Sequence, residues 1–186
     1  LNGVFFEMKQ SSGFKMVATD GHRMSLISRH PESLKSNLNH GVIIPRKGLY
    51  EIKKILDGVD ESIEIAIEGS QFILKHDSTI LMIRLIEGKY PNYQQFIPTK
   101  LPQKISLNRE SFLNSLERVS LLANQKSKAV LLSLSSGKME ISSNNPELGD
   151  AKEEIEIQYS GQDLKIGFNA KYITDILTSM TNEIID

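Results

Sequence analysis

Residues 42–58 read VIIPRKGLYEIKKILDG, and the change of period inside that run decides the fold. Val42, Ile43 and Ile44 form a short, continuously apolar strand signal. From Pro45 onward the apolar residues Leu49, Ile52, Ile55 and Leu56 recur at helical spacing. Proline suits a helix's first turn because its missing N–H would have no intrahelical partner there, and Asp57-Gly58 closes the run. The spacing predicts a strand that feeds directly into a helix.

Working outward, the same design occurs twice more. KISLNRESFLNSLERVSLLAN (104–124) offers Asn108 as N-cap, with Phe112, Leu113, Leu116, Val119 and Ala123 turned inward. LKIGFNAKYITDILTSM (164–180) repeats it with Asn169 as cap and Tyr172, Ile173, Ile176, Leu177 and Met180 inward. The three strand ends, Ile44, Leu107 and Phe168, lie 63 and 61 residues apart. Between them run short strands of period two, such as SIEIAIE (62–68) and EIEIQY (154–159), separated by glycine turns at 11–13, 68–70 and 135–137. QFILKHD and TILMIRLI follow each other closely enough to read as a meander.

The fold class is therefore α+β, built from repeated strand–helix–three-strand units with antiparallel sheets. A stretch with Pro91, Pro98 and Pro102 and no clear period separates two repeats. The expected organisation is a first domain over residues 1–90, a linker over 91–103 and a second domain over 104–186. The first domain opens part-way through a repeat and the second closes part-way through one. Together with Leu1 at the start, this leads us to expect a piece of a longer chain.

Composition narrows the chemistry. The chain has no cysteine, which excludes disulfides, thiolate zinc sites and cysteine nucleophiles, and is consistent with a reducing cytoplasm. Its 22 basic and 23 acidic residues leave a net charge of −1, so nucleic-acid binding requires local clustering of cations. No apolar run reaches the ~20 residues of a membrane helix. With no tryptophan and 6% aromatics, a surface built for stacking on single strands is disfavoured.

Two segments are candidates for function. MVATDGHRMSLIS (16–28) places Asp20, Gly21, His22 and Arg23 between two alternating runs. Asp-Gly accounts for a tight turn, whereas the His-Arg that follows raises two further readings, a catalytic Asp20/His22 pair or a binding surface. No G-x-S-x-G elbow, H-E-x-x-H pair, P-loop or dinucleotide fingerprint accompanies it, so catalytic, metal and cofactor residues are all expected to be absent. The helix after Ile44 carries Arg46, Lys47, Lys53 and Lys54 against Glu51 alone, opposite its apolar stripe. That arrangement is either a solvated face or a phosphate-contacting one. Arg109, Arg118, Lys126 and Lys128 make a weaker signal on and after the second helix, diluted by Glu110 and Glu117.

VATDGHRMSLIS, VIIPRKGLYEIKKIL, LIEGKYPNYQQFIP, SSNNPELGDAKEEIEIQYSG and LKIGFNAKYITDIL, taken in this order, resemble the bacterial DNA polymerase III beta subunit family, the sliding clamps. The resemblance runs through essentially the whole chain. It implies the second and third domains of a head-to-tail homodimeric ring with three similar domains per chain. Helices would line the channel, sheets would lie outside, and duplex DNA would pass through without sequence reading. It implies no catalysis, no cofactor, a cytoplasmic, nucleoid-associated location and no membrane partner.

Implied partners are replicative and translesion polymerases, the clamp loader and mismatch-repair proteins, docked through a peptide pocket. By matching position that pocket comprises Leu1, Thr19, Gly21, His22, Arg23, Met24, Pro91, Phe96, Asn169 and Tyr172. Phe96 stands where the family carries an aliphatic residue, Gln95 where a basic one is common, and Ser127 where close relatives carry an aromatic residue. Arg46 and Lys47 match the family's channel-facing basic positions, with Lys53 and Lys54 beside them. Two rivals stand beside this reading: a clamp-fold protein that docks peptides without encircling DNA, and an unrelated two-domain enzyme using Asp20 and His22.

Overall fold

A computed structural model describes residues 2–9, 13–31, 41–101 and 103–186. They fall into two compact units, Leu1–Phe96 and Ile97–Asp186. Leu1, Pro102 and the start of the 11–13 turn lie outside the described residues.

In the first unit the order is β1 (Gly3–Lys9), β2 (Gly13–Thr19), β3 (Met24–Arg29), β4 (Val42–Pro45), α1 (Arg46–Ile55), β5 (Glu64–Glu68), β6 (Gln71–His76) and β7 (Thr79–Arg84). One antiparallel sheet has the order β3-β2-β1-β4, and a meander β5-β6-β7 forms the other. Pro45 is paired with Gly3 at the end of β4, so it caps α1 from outside and does not sit in its first turn. Its extended backbone, φ −64° and ψ 145°, belongs to the strand.

The apolar stripe of α1, formed by Leu49, Ile52, Ile55 and Leu56, packs on a core of Phe6, Ile44, Phe72, Leu74, Ile83 and Leu85. Gly48 lets the helix approach closely: a Cβ there would come within 2.6 Å of the Ile83 side chain. A second cluster joins Val17, Ile43, Tyr90 and Tyr93, with Phe5 and Met24 against it. Tyr93 opens a 3-10 turn, Tyr93–Phe96, so part of the proline-rich stretch packs with this unit.

The second unit runs β8 (Leu107–Asn108), α2 (Arg109–Ser120), β9 (Ala129–Ser135), β10 (Lys138–Asn145), β11 (Gly149–Glu156), β12 (Leu164–Asn169), α3 (Ala170–Ser179) and β13 (Ile184–Ile185). Its main sheet is β11-β10-β9-β12, and β13 pairs with β8. Each helix directly follows a strand, and three strands follow α1 and α2, as the repeat predicts.

Asn108 and Asn169 cap their helices: their side-chain oxygens accept the N–H of Ser111 at 2.9 Å and of Lys171 at 3.0 Å. The core gathers Phe112, Leu116 and Val119 of α2, Ala170 and Leu177 of α3, and Leu132, Leu134, Met139, Ile141, Ile155, Ile157 and Tyr159 from the sheet and the segment after it. Ile176 departs from its expected inward position and is 41% exposed. The buried stripe of α3 follows Ala170, Ile173 and Leu177, and at ~100° per residue Ile176 sits roughly a quarter-turn off that line.

Candidate functional site

The stretch from Thr19 to Arg23 joins β2 to β3, whose last pair is Thr19 with Met24. Gly21 takes φ +90°, the left-handed region where glycine carries no penalty. Thr19 Oγ1 donates to the Arg23 carbonyl at 2.8 Å and accepts the Gly21 N–H at 3.1 Å. The Asp20 carboxylate accepts the N–H groups of His22 and Arg23, both at 3.0 Å, and the Arg23 Nε–H at 3.1 Å. These bonds, the His22 N–H first, hold the Asp20 carboxyl below its ordinary value. Its carboxylate therefore builds the turn, which is not the role the acidic partner of a catalytic His22 would need.

Beside this turn lies a cleft of about 550 Å³ lined by Asn2, Thr19, Asp20, Gly21, Tyr90 and Pro91. Tyr90 is anchored by stacking on Phe5, centroids 5.0 Å apart, and by its hydroxyl, which donates to the Val17 carbonyl at 3.1 Å. Burial raises the Tyr90 phenol above its ordinary value, keeping it a donor.

Of the expected pocket residues, Thr19, Gly21 and Pro91 line this cleft. His22 and Arg23 belong to the adjoining turn without lining it, and Met24 packs against the Val17 cluster. Phe96 is 68% exposed at the end of the 3-10 turn. Asn169 and Tyr172 belong to the second unit, where Asn169 caps α3 and Tyr172 is half-buried in its first turn. Leu1 lies outside the described residues. Sequence reasoning passed over Asn2, Asp20 as a wall residue, and Tyr90. The Tyr-Pro pair at 90–91 was a usable signal for the last, since a large amphipathic ring fixed beside a proline forms a rigid wall.

On α1 the four cations Arg46, Lys47, Lys53 and Lys54 are all exposed. Arg46 lies over the Tyr50 ring, 5.5 Å from its centroid, and donates to its hydroxyl at 3.1 Å. That hydrogen bond pulls the Tyr50 phenol below its ordinary value. Lys54 meets Glu51 at 2.9 Å. The first turn of α1 holds no acidic residue, so Arg46 and Lys47 add their charge to the positive end of the helix dipole. Between α1 and β7 runs a groove of about 760 Å³, with Lys47, Lys54 and Arg84 among its lining and Met82 and Tyr50 exposed along it.

The arginines of α2 behave differently from the expectation of a diluted basic face. Arg109 donates to the carbonyls of Asn182 at 2.9 Å and Leu177 at 3.1 Å, and Arg118 makes a two-pronged pair with Glu153. Both tie the second unit together. Glu61, His76 and Asp77 bring potential ligand atoms within 4.8 Å of one another, but Glu61 and Asp77 are solvent-exposed acids beside a hairpin turn.

The comparisons with known proteins cover both units. The family model described as DNA polymerase III beta subunit, central domain, matches residues 1–92, and the one described as its C-terminal domain matches residues 94–186. A beta sliding clamp of Salmonella typhimurium is 33% identical over 186 residues, covering 100% of this chain and 50% of its own length. The crystal structure of the DNA polymerase III subunit beta from Pseudomonas aeruginosa superposes with a TM-score of 0.93 at 32% identity, over 99% of this chain and 50% of that one. A Pseudomonas aeruginosa sliding clamp bound to griselimycin matches with a TM-score of 0.92 at 31% identity, over 98% of this chain and 49% of that one. The chain thus spans about half the length of the relatives it matches. Among the described residues, no helix is long and apolar enough to cross a membrane.

Proposed function

The chain belongs to the DNA polymerase III beta subunit family, and on that premise we propose that it serves as the second and third domains of a DNA sliding clamp. In this reading the full protein closes as a homodimeric ring around duplex DNA in the cytoplasm, on the nucleoid. It tethers replicative and translesion polymerases, the clamp loader and mismatch-repair proteins, and it catalyses no reaction of its own. The observation that carries the reading is the match of both units, in order and across 99% of the chain, to one clamp subunit.

The residues supply a physical role for each part. The cations of α1 sit on an exposed helix of a chain whose net charge is only −1. A few phosphate contacts hold DNA without locking it, because each neutralised phosphate steepens the log–log salt dependence by about 0.9. The cleft combines the Tyr90 ring and Pro91 with the polar Asn2, Thr19 and Asp20, a mixture suited to a short peptide. Asn169, Tyr172, Phe96, His22, Arg23, Met24 and Leu1 are proposed to complete that site in the assembled protein.

The test is topological. The full-length protein is loaded onto nicked circular DNA with its clamp loader, and retention is measured before and after a restriction enzyme linearises the circle. Release on linearisation is the expected result. Retention unchanged by cutting would mean ordinary electrostatic binding and would overturn the encircling mechanism.

A further inference from the structure

The turn that forms one wall of the cleft is exposed, and Gly21 contributes no packing: a Cβ built there meets nothing within 4 Å. Glycine is required at that position for its φ of +90° and not for space. An exposed loop with such a residue at its tip has large conformational freedom unless hydrogen bonds remove it.

Those bonds converge on one side chain. Asp20 Oδ1 accepts two backbone N–H groups, from His22 and Arg23, and Oδ2 accepts the Arg23 Nε–H. A carboxylate offers about four lone-pair directions, so most of the acceptor capacity of Asp20 is engaged inside the turn. Charge-assisted bonds of this kind are roughly twice as strong as neutral ones. Thr19 closes the same ring of contacts from the other side, through Gly21 and the Arg23 carbonyl. Asp20, Thr19 and Gly21 line the cleft together with Tyr90 and Pro91.

We propose that Asp20 is a positioning residue for the peptide cleft: its carboxylate fixes the Gly21–Arg23 backbone in the shape the ligand meets, without itself supplying the ligand's contact. This rests on the reading of the cleft as a peptide site. A residue that acts through backbone geometry tolerates an isosteric neutral acceptor, whereas one that acts through charge on the ligand does not.

The experiment compares full-length wild type, Asp20→Ala and Asp20→Asn. Griselimycin affinity is measured by calorimetry, and amide hydrogen exchange is followed at His22 and Arg23. Asn keeps one oxygen where Oδ1 stands, so its affinity should stay within about threefold of wild type; Ala should lose about tenfold, the size of a lost capping acceptor. The His22 and Arg23 amides should exchange faster in the Ala variant only, with protection along β2 and β3 unchanged.

An Asn variant as weak as Ala would assign a direct charge contact and overturn the positioning role. So would an Ala variant that binds like wild type. If wild type itself does not bind griselimycin, the peptide-site reading fails. The exchange rates still decide the role of Asp20 in the turn, since unchanged protection in Asp20→Ala would overturn it.

Discussion

Helices α1 and α2 each follow a short strand and each open with an arginine, yet Arg46 is exposed over Tyr50 while Arg109 turns onto the carbonyls of Leu177 and Asn182. Toward their ends the contrast persists. Lys53 and Lys54 stand exposed on α1, Lys54 pairing with Glu51 of its own helix, whereas Arg118 of α2 pairs with Glu153 of a strand. The second unit supplies what binds those arginines: the Leu177 carbonyl near the end of α3 and the Asn182 carbonyl beyond it lie within reach of Arg109, and β11 brings Glu153 across to Arg118. Both helices share the same period and an arginine at the first position; the fate of that arginine is decided by which acceptor the tertiary fold places within reach.

The contrast extends to the apolar contacts, and there the largest effect is expected. Gly48 and Ser111 both occupy the third position of their helices, but Gly48 is buried against Ile83 and Ser111 is exposed. Gly48→Val forces bulk into that contact and should cost the first unit about 2 kcal/mol, in the range of core overpacking. Ser111→Val should cost well under about 1 kcal/mol, as surface changes do. Urea unfolding followed by circular dichroism checks both, and equal losses would break the claim that α1 is set by a glycine-only approach.

The next comparison separates structural from binding cations. Arg109→Met removes two bonds, to the carbonyls of Leu177 and Asn182, and should lower stability by about 1–2 kcal/mol. Arg46→Met should leave the unfolding midpoint nearly unchanged. In the full-length protein the pattern should invert for DNA: Arg46→Met lowers the log–log salt slope by up to about 0.9, and Arg109→Met leaves it unmoved. A slope that responds equally to both variants would refute the division of roles.

Much of this was legible before any coordinates. The strand-to-helix switch at Ile44, Leu107 and Phe168 comes from period alone, and the caps Asn108 and Asn169 from residue type and position. Three features were not legible. Pro45 reads as a first-turn proline because nothing local says that its backbone is paired with Gly3, more than forty residues earlier. Ile176 reads as inward because its spacing from Tyr172 and Met180 fits a stripe that the fold places elsewhere on α3. Asp20 reads as half of a candidate catalytic pair because chain order puts it near His22, whereas its carboxylate is taken by backbone N–H groups that only the turn's geometry reveals. The site was legible as a segment, through TDGHR and Tyr-Pro, but its walls depend on long-range packing of Tyr90 on Phe5 and under Val17.

The smallest effect concerns acid. The Arg118 hydrogen bond holds the Glu153 carboxyl below its ordinary value of 4.5. A carboxylate whose folded pKa is depressed stabilises fully above its unfolded value and loses that contribution as pH falls through the folded one. Glu153→Gln should therefore be less stable than wild type at neutral pH, with the gap closing as the pH drops below 4.5. Because the pair is partly solvated, the gap should also narrow at high salt. Lys54 and Glu51 form an exposed pair on α1, and exposed pairs contribute little to stability, so Glu51→Gln should barely move the unfolding midpoint at low or high salt. Parallel acid limbs for wild type and Glu153→Gln would show that the Arg118–Glu153 pair contributes no more in solution than the exposed Lys54–Glu51 pair of α1, and the contrast between the two helices would then rest on Arg109 alone.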